Sequence, residues 1–125
     1  MASELRVNTL KDASGNNSVG MSTVSNGTAK MFLNCDQGGT HDIADSFNVS
    51  SLADDGLGRT HASLTNAHSN ANYANVHAIH TSSNRRIFSS GNTASIVKYQ
   101  CFQESTYTSQ ADSSGLCGTA HGDLA

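Results

Sequence analysis

Short segments of alternating apolar and polar residues recur along this chain at intervals of about 8 to 14 residues, separated by Gly, Asn and Asp. Alternation with a period of two gives a strand one buried and one solvated face, and Asn, Asp and Gly supply turns between such strands. The sequence therefore predicts an all-β fold, an antiparallel β-sandwich that is jelly-roll-like. The strands that we predict for its body cover residues 29–35, 58–66, 72–81, 85–90 and 94–103.

The polar content of the chain supports this fold class. Ser, Thr and Asn together make up about a third of the residues, and their side chains compete for the backbone hydrogen bonds of helix interiors. Only 14% of the residues are charged, well below the usual share of about 25%. We therefore expect strands and turns with uncharged polar surfaces, and no long helix.

The N-terminal residues predict a separate strand. Leu5, Val7 and Leu10 are interleaved with polar residues before the turn signal at residues 14–17. We expect one exposed strand, which acts as an arm, followed by a tight turn.

A second turn signal marks the boundary of this arm. Asn26-Gly27 is a pair that tolerates positive φ, so it predicts a two-residue hairpin before the apolar run AKMFLNC. That run is apolar enough to be a central strand. The chain is thus divided into an N-terminal arm at residues 1–28, for attachment or trimerisation, and a β-sandwich domain at residues 29–125.

The stretch DSFNVSSLADDGLGR at residues 45–59 combines a strand with a turn. Phe47 and Val49 are expected to point inward, and a bulge at Ser51 would bring Leu52 to the same side. The letters ADDG that follow predict an abrupt surface turn. This stretch therefore delivers a polar loop to the surface.

The last residues, 104–125, leave two interpretations open. They are polar and contain several glycines, so they form either a last irregular hairpin or a segment that a neighbouring chain orders. Their anchors are Tyr107, Leu116, Cys117 and Leu124.

Charge and hydropathy argue against two classes of partner. The formal net charge is −3 and Arg85-Arg86 is the only basic doublet, so the broad positive face that nucleic acid requires is missing. No apolar run approaches the roughly 20 residues of a membrane span, so no membrane insertion is expected. No charged-then-apolar leader follows Met1, and we expect the product to stay where it is made.

The histidines and acidic residues do not predict a metal site. His77 and His80 are three residues apart, so on a strand they face opposite sides of the sheet and cannot bind one ion. Residues 54–58 lack the alternating oxygen ligands of a calcium loop. No G-x-S-x-G, no H-E-x-x-H and no phosphate-binding glycine loop is present. We predict that the protein is not an enzyme and needs no metal or other cofactor.

The three cysteines do not form a disulfide framework. Cys35 and Cys101 lie in predicted strands, where a free thiol behaves as a small buried apolar group, and a bridge between them stays open as an alternative. Cys117 and His121 have a spacing that suits zinc, but a zinc site with the other two cysteines would need three distant segments to converge.

Two blocks of the sequence resemble tail-fibre-like proteins of bacteriophages, especially those of marine cyanobacterial phages. The first is the N-terminal segment SELRVNTLKDASGNNS, in which Leu5, Val7, Thr9, Lys11, Asp12, Ser14 and Gly15 carry the likeness. The second comprises AKMFLN, GGT, DSFNVSSLADDGLGR and NANYA, and it resembles the C-terminal module of those proteins. Two departures are Phe32, where those modules usually carry tryptophan, and His68-Ser69, which replaces a proline-containing approach to Asn72-Tyr73.

The resemblance implies a β-rich structural protein of the phage virion, made in the host cytoplasm, exposed on the particle and homotrimeric. In the first hypothesis it is a fibre or knob module whose exposed loops meet a host-surface glycan or protein. The candidate recognition residues are Asp54, Asp55, Leu57, Arg59, His68, Asn70, Asn72 and Tyr73. In the second it is a capsid decoration protein, and the residues Leu5, Val7 and Leu10 pair with the major capsid protein or a sister subunit.

Overall fold

The computed structural model of the protein describes residues 3–80, 84–105 and 108–125, and β-strands are its main secondary structure. The predicted all-β class with antiparallel sheets is therefore confirmed. The described residues contain ten strands and one short helix, in the order β1 (Thr9–Lys11), β2 (Ser18–Gly20), α1 (Met21–Gly27), β3 (Met31–Asp36), β4 (Asp42–Phe47), β5 (Val49–Gly56), β6 (Arg59–Leu64), β7 (Ala74–Ile79), β8 (Arg85–Ser89), β9 (Ile96–Gln103) and β10 (Leu116–His121).

Strands β3 to β10 form two four-stranded sheets. The first sheet has the order β4-β3-β10-β7 and the second has the order β5-β6-β9-β8, with every neighbouring pair antiparallel. The strand predicted within residues 29–35 is central, as expected, and the four predicted over residues 58–103 are all present. The hairpin β1–β2 is a separate two-stranded sheet.

One hydrophobic core lies between the two sheets, which gives the fold its β-sandwich-like character. Alternate residues of the central strands β3, β6, β9 and β10 face it, as the period of two requires. Its buried members are Met31, Leu33, Cys35, Ala62, Leu64, Val97, Tyr99, Cys101, Leu116 and Ala120.

The stretch predicted as one strand around Phe47 is two strands that belong to different sheets. Asn48 separates them with φ of 60°, and its Nδ2 donates to the carbonyl oxygens of Lys30 and Asn66. This left-handed residue interrupts the alternation, so Phe47 ends on the outer face of the first sheet and is 55% exposed. The prediction that Phe47 points inward is therefore wrong.

The rest of that stretch follows the prediction. Val49 and Leu52 pack against the core, and the register of β5 against β6 shifts between Val49 and Ser51, where the bulge was expected. The bulge allows both apolar side chains to face inward although they are three residues apart.

The hairpin expected at Asn26-Gly27 does not form, because these residues end the helix α1. Neither has the positive φ that a two-residue hairpin of this kind requires. Instead the backbone N–H and the hydroxyl of Thr28 both donate to the carbonyl oxygen of Val24, which closes the last helical turn.

The turn predicted at residues 14–17 is present between β1 and β2. Gly15 has φ of 72°, and the carboxylate of Asp12 accepts hydrogen bonds from the Ser14 hydroxyl, the Asn16 N–H and the Asn17 amide. These donors stabilise the charged form and lower the pKa of Asp12.

The described part of residues 104–125 forms neither an irregular hairpin nor a segment that a neighbouring chain orders, so both interpretations are wrong. Strand β10 is inserted between β3 and β7 in the middle of the first sheet, and Leu116 and Ala120 are fully buried. The chain's own sheets therefore order this segment, and it is not an irregular hairpin. Tyr107 lies outside the described residues.

Candidate functional site

The outer face of the first sheet carries a row of exposed apolar side chains. The strand registers place Phe47 opposite Phe32, Phe32 opposite Thr119, and Thr119 opposite Val76, so the row crosses all four strands. Phe47 is 55%, Val76 64% and Phe32 38% exposed, and the two phenylalanine rings stack with centroids 6.3 Å apart. Contiguous exposed apolar side chains are a common feature of surfaces that bind partners. We call Phe47, Phe32, Thr119 and Val76 the apolar row.

A shallow groove of about 450 Å³ runs beside the apolar row. Its floor is formed by the small residues of β10, Cys117, Gly118 and Thr119, while Phe32 and Val76 form its walls. Farther along the same face, His80 Nε2 lies 3.2 Å from the amide oxygen of Asn34. The groove can therefore accept apolar side chains along its floor and a hydrogen-bonding group at its polar end.

Alternation along β7 explains how the two predicted histidines are separated. His80 lies on the outer side of the first sheet, whereas the His77 ring packs edge-on against Tyr99 in the interior, with centroids 6.2 Å apart. The prediction that they face opposite sides is confirmed. Among the described residues no group of three or more His, Cys, Asp or Glu side chains has the arrangement of a metal site.

The first predicted loop, at the turn between β5 and β6, is exposed and polar. The side chains of Asp54, Asp55 and Arg59 reach solvent, and Leu57 is 62% exposed. Asp55 Oδ2 lies 2.8 Å from His61 Nδ1, so one of the two carboxylates is held by a side chain of the neighbouring strand. The structure therefore brings these four predicted residues together at one end of the sandwich.

A buried chain of hydrogen bonds fixes the base of this loop. Gln37, fully buried at the end of β3, donates through Nε2 to the Thr60 hydroxyl at 2.8 Å and accepts through Oε1 from the Ser113 N–H. The Thr60 oxygen lies 3.1 Å from His41 Nδ1, and His41 Nε2 lies 3.7 Å from Asp54 Oδ1. This hydrogen-bond network joins the two sheets, so it holds the β5–β6 turn rigidly at its end of the sandwich.

Gly58 makes this end of the sandwich compact. Its N–H donates to Asp112 Oδ1 at 2.6 Å and its carbonyl accepts from the Cys101 N–H at 2.7 Å. A Cβ at Gly58 would lie 2.5 Å from the Cys101 carbonyl oxygen, so only glycine fits. The segment before β10 is thereby held against the β5–β6 turn.

The second predicted loop, between β6 and β7, lies at the opposite end of the sandwich. Strand β6 runs from Arg59 to Leu64, and its six residues separate the two loops by roughly 20 Å. Asn70 and Asn72 are exposed there, and Tyr73 is half-buried. The eight predicted recognition residues therefore form two separate groups, and they do not form one site.

His68 does not belong to an exposed recognition surface, because it is only 1% exposed. Its ring stacks on Tyr73 with centroids 4.1 Å apart, and its backbone bridges to the C-terminal segment at Leu124. Neither ring nitrogen has a hydrogen-bond partner within the part of the chain that the structure describes. Burial therefore lowers the pKa of His68.

We expect the stability of the fold to fall with acidity because of His68. Its folded-state pKa is below the ordinary value of 6.5, so the unfolded chain binds more protons. The contribution of neutral His68 to the free energy of unfolding is constant above pH 6.5. It is lost as the pH falls from 6.5 toward the depressed folded-state pKa. Urea unfolding between pH 7.5 and pH 5 measures this loss. His68→Phe keeps the stack on Tyr73 and should weaken the pH dependence; an unchanged dependence would contradict the assignment.

Burial of the Cys35 and Cys101 side chains disfavours the nucleophilic thiolate form. Burial raises the pKa of Cys35 to about 12 and that of Cys101 to about 11, so both stay protonated at neutral pH. All three cysteines are free. Cys35 and Cys101 therefore act as core residues, as predicted from their strands.

The residues predicted in the N-terminal arm are exposed. Leu5 is 80%, Leu10 42% and Val7 36% exposed, although all three are apolar. Sequence alternation revealed this arm, but it did not reveal the apolar row, because Phe47 was predicted to point inward and Phe32 and Val76 lie in other predicted strands. Only the register between distant strands places them together on an outer face.

Comparison of this chain with protein-family models, with curated proteins and with solved structures finds no match. Within the described residues no helix has the length and apolar character needed to span a membrane. The surfaces described above are therefore the basis for a functional proposal.

Proposed function

We propose that this chain is a structural protein on the surface of a phage virion, a fibre or knob module that assembles as a homotrimer. The observation that carries the proposal is the apolar row of the first sheet. Fully burying one side chain of this size contributes about 1.5 to 3 kcal/mol, so association of subunits through the apolar row would be stabilised by its burial. The resemblance of residues 3–18 and of the SFNVSS stretch to tail-fibre-like proteins supports the virion assignment.

Part of the architecture supports a jelly-roll-like classification. The eight strands form two four-stranded sheets and the first of them, β3, pairs with β10, as in a jelly roll, whereas the hairpins β3–β4, β5–β6 and β8–β9 each stay within one sheet. Such sandwiches present loops at both ends, here the turn between β5 and β6 and the loop between β6 and β7. We propose that one of these loops contacts a host-surface glycan or protein.

The module acts in this proposal through binding, without catalysis, cofactor, nucleic acid or membrane insertion. The carboxylates at the β5–β6 turn are exposed or held by hydrogen bonds, and the Cys35 and Cys101 thiols are buried. Its place is the assembled virion, and it is made in the host cytoplasm.

Capsid decoration is the second candidate, and the exposed arm favours it. Leu5, Val7 and Leu10 are apolar and exposed, and a strand of this kind can pair with the major capsid protein. Both candidates place the chain on the virion, but they differ in its copy number.

Quantitative mass spectrometry of purified virions tests the assignment. We expect the chain to be present, with few copies relative to the major capsid protein if it is a fibre module. A copy number close to that of the major capsid protein would identify the decoration role instead. Absence from purified virions that carry the gene would refute both. Size-exclusion chromatography with light scattering tests the trimer separately, and a monomer at assay concentration would contradict it.

A further inference from the structure

The edge strands of the two sheets differ in how they are protected. In natural proteins, charged residues or bulges in edge strands prevent pairing with other chains, because the unpaired backbone groups of an edge strand can bind another strand. Three of the four edges follow this rule: β4 contains Asp42, Asp45 and a register shift, β5 contains Asp54, Asp55 and two shifts, and β8 begins with Arg85-Arg86. Strand β7, with the sequence ANVHAI, contains none of these devices. It is therefore the edge that is open to pairing.

The β7 backbone has no described partner strand on the side away from β10, and β7 meets the second sheet through inward side chains, with Asn75 Nδ2 donating to the Ser89 hydroxyl of β8. Its register against β10 is regular over all six residues, from Ala74 to Ile79. Within the described residues it makes no backbone hydrogen bond to any segment other than β10. Val76 and Ala78 on its outer face are exposed, and Val76 ends the apolar row. An added strand would thus meet free backbone groups and an apolar surface together.

The chain contains one segment with the complementary properties. Residues 3–7 belong to no helix or sheet, and no backbone hydrogen bond joins them to another described residue. Their sequence, SELRV, alternates, so a strand here would present Leu5 and Val7 on one face. Glu4 and Arg6 would lie on the other, where they already form an ion pair of 2.9 Å. The charged groups are thus satisfied within the arm itself.

We propose that the β7 edge of one copy accepts residues 3–7 of a second copy as a fifth strand of the first sheet. Leu5 and Val7 then lie beside Val76 and extend the apolar row, and the backbone groups of both strands become paired. This inference rests on the proposed function, because it names the partner of the apolar face in the oligomer.

The symmetry of such an exchange fits a ring of subunits. The donor segment and the acceptor edge are different surfaces of the molecule, so the contact can be made reciprocally between two copies or head to tail from each copy to the next. A head-to-tail contact that closes produces a cyclic oligomer such as a trimer. The hairpin β1–β2 and the helix α1 lie between the arm and β3, and they supply the length of chain for reaching a neighbour.

Charged substitutions test the contact in the full-length chain. Val76→Lys and Leu5→Lys should each weaken self-association by about tenfold or more, because each buries a lysine in an apolar contact. Leu57→Lys is the matched control, since Leu57 is 62% exposed, close to the 64% of Val76, and lies at the β5–β6 turn. Sedimentation equilibrium measures the association, and circular dichroism checks the fold. Self-association unaffected by Val76→Lys would overturn the proposal.

Cysteine cross-linking between separately prepared chains identifies the donor. In a Cys117→Ser background, one chain carries Leu5→Cys or Val7→Cys and the other carries Val76→Cys. We expect an intermolecular disulfide on mixing under mild oxidation, and none when Leu57→Cys replaces the arm cysteine. A chain that carries both cysteines and forms only an internal disulfide would show that the arm binds its own sheet, and the proposal would be wrong.

The two proposals fail in different ways. If the chain is absent from purified virions while the cross-link forms, the virion function is wrong and the strand exchange stands. If the chain is present in virions and oligomeric, but neither cross-link nor charge effect is seen, the exchange is wrong and the virion function stands.

Discussion

Gly58→Ala is expected to lower the free energy of unfolding by about 4 kcal/mol or more, a large share of the roughly 5 to 15 kcal/mol that stabilises a typical domain. A Cβ at this position would lie 2.5 Å from the Cys101 carbonyl oxygen and 2.7 Å from the Ala111 nitrogen. Both are backbone atoms of packed segments, so they cannot move without breaking the hydrogen bonds that hold the β5–β6 turn. Urea denaturation followed by circular dichroism measures the loss.

The control for Gly58→Ala separates crowding from backbone strain. Gly58 and Gly39 have similar φ values, 67° and 75°, but a Cβ at Gly39 would meet no atom within 4 Å. Gly39→Ala should therefore cost only the strain of a left-handed residue, about 1 to 2 kcal/mol. Equal losses in the two variants would show that the close approach at Gly58 has no energetic weight.

Gly118→Ala is the second substitution with a large expected effect, about 3 kcal/mol. Gly118 lies in the middle of β10, and a Cβ there would be 2.6 Å from the Tyr99 hydroxyl oxygen and 3.1 Å from two ring carbons. Tyr99 is 1% exposed in the core, so the ring has little space in which to move away. Thermal and urea unfolding of the purified variant measure the change.

Tyr99→Phe is the matched partner of that substitution. The Tyr99 hydroxyl is buried and has no hydrogen-bond partner within the described part of the chain, so its removal alone should be neutral or stabilising. In the double variant the shortest contact of the new methyl group disappears, and part of the loss should be recovered. Strictly additive effects would contradict the predicted contact between the two side chains.

The fold class could be predicted from local patterns because the strands of this chain are short, alternating and bounded by turn residues. Predicted and observed strands agree for β3, β6, β7, β8 and β9. The bulge at Ser51 could also be predicted, because Val49 and Leu52 are three residues apart and must face the same core.

The errors occurred where a single residue depends on tertiary contacts. Asn48 adopts a positive φ because its side chain joins Lys30 to Asn66, and no local signal shows that the chain changes sheets there. Asn26-Gly27 has the composition of a hairpin, yet it ends a helix. Strand β10 was missed because two of its three inward residues, Gly118 and Ala120, are small, and the ring of Tyr99 from the other sheet fills the space next to Gly118.

The candidate surfaces could be predicted only in part. The N-terminal arm and the β5–β6 turn are local features, and their exposure follows from alternation and turn chemistry. The apolar row depends on the pairing of Phe32 with Phe47 and with Thr119, which is set by strands far apart in sequence. Likewise, the burial of His68 depends on Tyr73 and the C-terminal segment, so its position in a polar loop was misleading.

The position of β10 has a consequence for biosynthesis. Strand β3 borders β4 and β10, so one side of its hydrogen-bonding ladder stays unpaired until β10, about 80 residues later in the sequence, has left the ribosome. Until then the inward side chains of Met31 and Cys35 lack their neighbours on β10, Ala120 and Leu116. Pairing between segments so far apart in sequence is slow. During this delay the unpaired edge of β3 can pair with other chains and cause aggregation. Folding of the first sheet should therefore be sensitive to chaperone supply.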